Sequence, residues 1–142
     1  MEDMITMSVP AFQKLHACKP GQGGIFGGTQ GHILDVEYDS GLEAKSFATY
    51  KPNYKLWNIL IKQWKNYRIG IMGVFHYNSS GQEELTSDDK KFIEDVLSKH
   101  KKGSKLHFLH ISPKKFSMFA VEMNGDQTSI KSEEFIVVGD LS

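Results

Sequence analysis

The chain is poor in cysteine: Cys18 is the single one in 142 residues, which excludes an internal disulfide and any zinc cluster built on several thiolates. With six methionines beside it, the composition suits a reducing compartment, and a cytoplasmic protein is expected. Cys18 itself reads as a nucleophile or, as is commoner for a lone cysteine, as a small packed hydrophobe. An excess of charge of one sign is also missing. Seventeen Lys and Arg balance seventeen Asp and Glu, which removes the electrostatic reason for a nucleic-acid or anionic-membrane partner. No apolar run approaches the roughly 20 residues of a membrane span, and "MEDMITMSVP" carries acidic residues without a long apolar stretch, so no signal peptide is expected. Low-complexity linkers, repeats and composition shifts are absent too, so residues 1–142 are expected to form a single domain. At this length a fold buries roughly two-thirds of the surface of the unfolded chain. A metal would therefore be functional rather than a staple for the core.

What is present reads as alternating strands and helices. "EDMITM" predicts a short strand, after which Ser8 caps a helix through "VPAFQKLHACK" with Pro10 in its first turn, where no amide donor is needed. "GGIFGG" is an apolar pair bracketed by glycines. "HILDVEYD" sets Ile33, Asp35 and Glu37 against Leu34, Val36 and Tyr38, the two-residue period of a strand with one wet face. "AKSFATY" predicts a weaker strand. Between Tyr54 and Tyr67, Leu56, Leu60, Trp64 and Tyr67 recur at helical spacing, with Trp57 and Ile61 widening the stripe. "RIGIMGVFHY" is apolar on both parities, as a central strand is. A helix follows in which Phe92, Ile93, Val96, Leu97 and His100 share a face. "KLHFLHIS" is a strand, and "FSMFAVEMNGDQTSIKSEEFIVVGD" reads as two strands joined at Asn124 and Gly125. The expected class is α/β (α+β), a mixed β-sheet flanked by helices.

The stretch with the most chemistry is "GVFHYNSSGQEELTSDD", residues 73–89. An apolar strand delivers His76 into a loop, Asn78 stands two residues on, and Thr86 and Asp89 form a short capping box at the start of the next helix. The pattern is His, one residue, Asn, seven residues, Thr, two residues, Asp. It resembles the JAMM motif of the JAB/MPN metalloprotease family, His-x-His, seven residues, Ser, two residues, Asp, with every spacing matched. The flanking strand and helix sit where that family has them, and "PGQGGIFGG" is similar to its early strand, so the resemblance spans roughly residues 18–138. It implies a JAB/MPN-like (cytidine deaminase-like) architecture.

In that family two histidines and the aspartate hold zinc, an early glutamate is the general base and the serine helps to stabilise the oxyanion. Carried over, His76 and Asp89 match metal ligands, Asn78 takes the place of the second histidine, and Thr86 that of the serine. The glutamate position falls on Gly21 or Gln22. An amide oxygen is a poor zinc ligand beside an imidazole, and neither a hydrogen nor a carboxamide takes a proton near neutral pH. The resemblance therefore implies a non-catalytic JAB/MPN-like module that binds or scaffolds proteins. No cofactor is expected, and the partner would be another protein, a ubiquitin-like or peptide tail, or a dimer mate of its own or another MPN type. The rival is a zinc-dependent peptidase or isopeptidase with an atypical site.

Blander readings stand beside these. His76, Thr86 and Asp89 also make sense as a hydrogen-bonded cluster at a strand end and helix cap, with no catalytic role. His32, His107 and His110 lie on predicted strands, with nothing in their spacing to direct them to His76. "GQGGIFGG" lacks the Lys-Ser/Thr tail of a phosphate loop. "KHKKGSK" reads as a basic patch or as the end of a helix whose lysines complement its dipole. Trp57 and Trp64 suit the core.

Overall fold

Hydrogen-bonding side chains and turns divide the chain where its apolar pattern changes period. The computed structural model describes residues 4–39, 52–77, 84–100 and 103–139. β1 (Ile5–Ser8) runs into α1 (Val9–His16), where the Ser8 hydroxyl accepts from the Ala11 amide at 3.2 Å and Pro10 falls in the first turn. β2 (Gly23–Thr29) and β3 (His32–Asp39) form an antiparallel pair. α2 (Tyr54–Lys65) leads to β4 (Gly70–Tyr77), and α3 (Ser87–Ser98) to β5 (Lys105–Ile111). β6 (Phe116–Asn124) and β7 (Gln127–Glu133) make a tight hairpin, and β8 (Phe135–Val138) closes the described chain. The expected strand over "AKSFATY" lies outside the described residues.

The strands form one eight-stranded mixed sheet in the order β7-β6-β5-β4-β2-β3-β1-β8, with β4–β5, β1–β3 and β1–β8 parallel. The α/β class expected from the pattern is therefore what is observed. One face packs Met7, Phe26, Ile33, Phe75 and Leu109 against Leu15 of α1. The other packs Ile25, Val74 and Phe108 against Trp57 and Trp64 of α2 and Phe92 and Val96 of α3. Neighbours such as Ile25 and Phe26, or Val74 and Phe75, thus serve opposite faces, which explains why these strands read as apolar on both parities.

Two expectations need correction. The even alternation over β3 fails because the β2–β3 register shifts between Gly27, opposite Asp35, and Gly28, opposite Ile33. Leu34 is the extra residue of a β-bulge, so Ile33 and Val36 are both buried while Leu34 is 38% exposed. The second correction is at the C-terminal end, read as two strands. The strand after the hairpin breaks at Glu134, and Phe135–Val138 crosses to the opposite edge of the sheet to lie parallel to β1. Parallel pairing of this kind leaves no local turn signal in the sequence.

Gly73 shows how tightly the centre is built. A Cβ there would overlap the His107 carbonyl oxygen on β5 and stand 2.5 Å from Phe26 Cζ on β2. Gly73→Ala is therefore expected to cost about 2–3 kcal/mol of stability, through overpacking between two central strands. Urea unfolding measures it; a loss below about 0.5 kcal/mol would contradict the packing described.

Candidate functional site

The parallel pair β4–β5 brings its two strand ends side by side, with His76 opposite His110 in register. Both imidazoles lie on the face that α3 covers, and the first turn of α3 carries the carboxylate that meets them. Asp89 Oδ1 is 3.3 Å from His76 Nδ1, and Asp89 Oδ2 is 3.5 Å from His110 Nδ1. The His76 ring meets Phe92 one turn further along α3, edge to face, with centroids 6.3 Å apart. All three polar residues are buried: His76 is 3% exposed, Asp89 1% and His110 0%.

The helix cap fixes the carboxylate. Asp89 Oδ2 accepts from the Thr86 amide at 3.0 Å and from the Thr86 hydroxyl at 3.1 Å, and the Asp89 amide donates to Thr86 Oγ1 at 3.2 Å. This reciprocal capping box holds the side chain where the helix dipole also favours a negative charge. Burial pushes the Asp89 carboxyl up, but the His76 hydrogen bond, the Thr86 amide and the nearby imidazoles outweigh it and hold the group below the usual carboxylate range.

The position of the expected general base also lies beside His76. The Gly21 amide donates to the Tyr77 carbonyl at 2.9 Å, and the Tyr77 amide donates to the Gln22 carbonyl at 2.8 Å, so this segment joins the end of β4. Gly21 has φ +87°, a conformation that a glutamate would adopt only under strain. The Gln22 carboxamide oxygen accepts from the Lys19 amide at 2.8 Å, which ties it into the turn instead of the site.

Of the sequence-predicted residues, then, His76, Thr86 and Asp89 come together, and Gly21 and Gln22 stand alongside. Asn78 lies outside the described residues. His32 hydrogen-bonds Thr6 Oγ1 at 2.7 Å and His107 pairs with Glu133, both away from Asp89. His110 alone of the three spare histidines joins the cluster. Asp39 was missed altogether: it pairs with Gly23, which pairs with His76, so it occupies the same row of the sheet. Its buried carboxylate accepts from the Asn53 amide at 2.6 Å and from Trp57 Nε1 at 3.0 Å, anchoring the start of α2. β3 already carries Asp35 and Glu37, so nothing in its local pattern sets Asp39 apart.

An open zinc centre needs ligand atoms left free to face the ion, with a position for water. Here Asp89 spends Oδ2 on the helix cap and turns Oδ1 to His76. Among the described residues no three His, Cys, Asp or Glu side chains are grouped to hold a metal ion. The described donors, His76, His110 and Asp89, form a buried polar clasp between α3 and the sheet.

No family model and no curated protein sequence matches the chain. Among solved structures it is similar to the solution structure of a protein from Desulfitobacterium hafniense, with 18% identity over 97% of this chain and 95% of that one and a TM-score of 0.68. At that identity the likeness speaks for the fold alone.

Because the folded-state pKa of Asp89 is depressed, its contribution is fully present above the unfolded value of about 3.9 and is lost as pH falls through the lower folded value. Asp89→Asn is expected to lose about 2–3 kcal/mol at pH 7. The deficit against wild type shrinks below about pH 4. Denaturant unfolding at pH 7 and pH 3 checks this, and an equal deficit at both would contradict the charged clasp.

Proposed function

We propose that the chain is a JAB/MPN-like domain that does not hydrolyse peptide bonds and works as a protein-binding or scaffold module. The observation that carries this reading is how the described motif residues pack together. His76 and Asp89 face each other in a buried cluster capped by Thr86. Gly21 and Gln22, at the base position, supply no group that takes a proton near neutral pH. Among the described residues, then, the position of the early glutamate offers no carboxylate to activate water, and the Asp89 oxygens are engaged by the helix cap and His76. The architecture is compatible with the family: a mixed sheet with helices on both faces, the motif's strand and helix in sequence, and the early strand hydrogen-bonded beside them.

Binding surface is available elsewhere. Ile59 and Tyr67, 54% and 77% exposed, project from α2 and the turn after it, and Leu34 stands out at the bulge. β8 is an edge strand with Ile136 and Val137 exposed, suited to pairing with a strand from a partner, whether a peptide tail or another domain of the same type.

The test is turnover on a panel of peptide and isopeptide substrates, including ubiquitin-like tails, with zinc supplied. Wild type and His76→Ala are expected to give the same background rate. Zinc-dependent cleavage that His76→Ala abolishes would overturn the reading in favour of the zinc-dependent peptidase or isopeptidase.

A further inference from the structure

The sheet curls around α1, and the clearest sign is a cavity that Phe116 of β6 and Phe135 of β8 share although β5, β4, β2, β3 and β1 separate them in the sheet. Its volume is about 390 Å³, within the range of small-molecule sites at about 300–1,000 Å³. The cavity opens at the ends of β4 and β5, where Tyr77 and Ile111 line it from the sheet face opposite to His76 and His110.

The walls are apolar and partly aromatic. Phe12, His16 and Phe116 form a ring cluster, with centroids of Phe12 and His16 4.6 Å apart, Phe12 and Phe116 5.6 Å, and His16 and Phe116 5.1 Å. The rim is cationic. Lys114 and Lys115 lie in the turn between β5 and β6, and Ser112 fixes that turn: its amide and hydroxyl both donate to the Lys115 carbonyl, at 3.0 and 3.1 Å. Among the described residues no Asp or Glu lines the cavity. The segregation is built into the sequence, since residues 8–34 and 96–121, which supply most of the lining, contain no acidic residue in a chain with seventeen of them.

These features together point to a ligand with an apolar body and one negative charge. We propose that the cavity binds a small amphipathic carboxylate, its aromatic or acyl body between Phe12, Phe116 and Phe135 and its carboxylate at Lys114 and Lys115. The site binds and does not react. Burial pushes the thiol of Cys18, one of the lining residues, up to about 12, so it stays neutral, and the Ser112 hydroxyl is engaged in the turn. The proposal is independent of the reading of the His76 cluster, which lies on the other face.

The experiment is an NMR titration of the ¹⁵N-labelled chain with naphthalene-2-carboxylate, its neutral carboxamide and decanoate. At least one carboxylate is expected to bind, with shifts centred on Phe12, His16, Ile111 and Phe116, and the two probes distinguish an aromatic from an acyl preference. If naphthalene-2-carboxylate is the one that binds, it does so about tenfold more tightly than the carboxamide. If decanoate alone binds, decanamide is the neutral control, with the same margin expected. Lys114→Ala with Lys115→Ala removes that preference while the neutral amide's affinity and the thermal midpoint hold, since both lysines are exposed. No binding of either carboxylate at millimolar concentration, equal binding of acid and amide, or shifts centred elsewhere would overturn the proposal.

Discussion

The Asp89 carboxylate is the joint on which one half of the molecule turns. It belongs to the first turn of α3, where it completes a capping box with Thr86, and it also faces imidazoles from two adjacent parallel strands. One side chain therefore fixes where α3 begins, how it docks on β4 and β5, and what charge lies beneath it. A buried carboxylate is costly unless paired and hydrogen-bonded, and this one has both kinds of partner. The helix cap and the histidines together meet both of its oxygens.

Around that joint the sheet keeps two separate interiors. The tryptophans of α2 and the apolar stripe of α3 cover one face, with Asp39 holding the start of α2 as Asp89 holds the start of α3. The other face wraps α1 and leaves a cationic-rimmed cavity at the strand ends. Both faces reach the same end of the β4–β5 pair, where side chains alternate between His76 and Tyr77 and between His110 and Ile111. Ligands commonly sit at such strand ends in α/β sheets, and here the polar cluster fills one side while the other stays open.

Local chemistry was legible in the sequence. The Ser8 and Thr86 caps, the helical stripe carrying Trp57 and Trp64, and the doubly apolar strand before His76 each follow from spacing within a few residues. Non-local registry was not. His110 meets Asp89 only because β5 returns parallel to β4 after α3, with His110 opposite His76 rather than one residue away, and a slip by one would turn it to the other face. Leu34 escapes the strand alternation because of a bulge whose cause lies across the pairing with β2. β8 is four residues long and pairs with the start of the described chain, too short and too distant for periodicity to announce it. Nor could charge counting reveal the cationic rim, since the chain is neutral overall and only the curl of the sheet gathers its acid-free segments around one cavity.

The measurement closest to the central claim is zinc stoichiometry by elemental analysis on tag-free protein, before and after incubation with zinc, with the thermal midpoint taken in each state. A closed clasp predicts far less than one equivalent of zinc and an unchanged midpoint, because an ion that does not bind the folded state cannot stabilise it. One equivalent of zinc with a raised midpoint would contradict the account and show that His76 and Asp89 open to hold a metal.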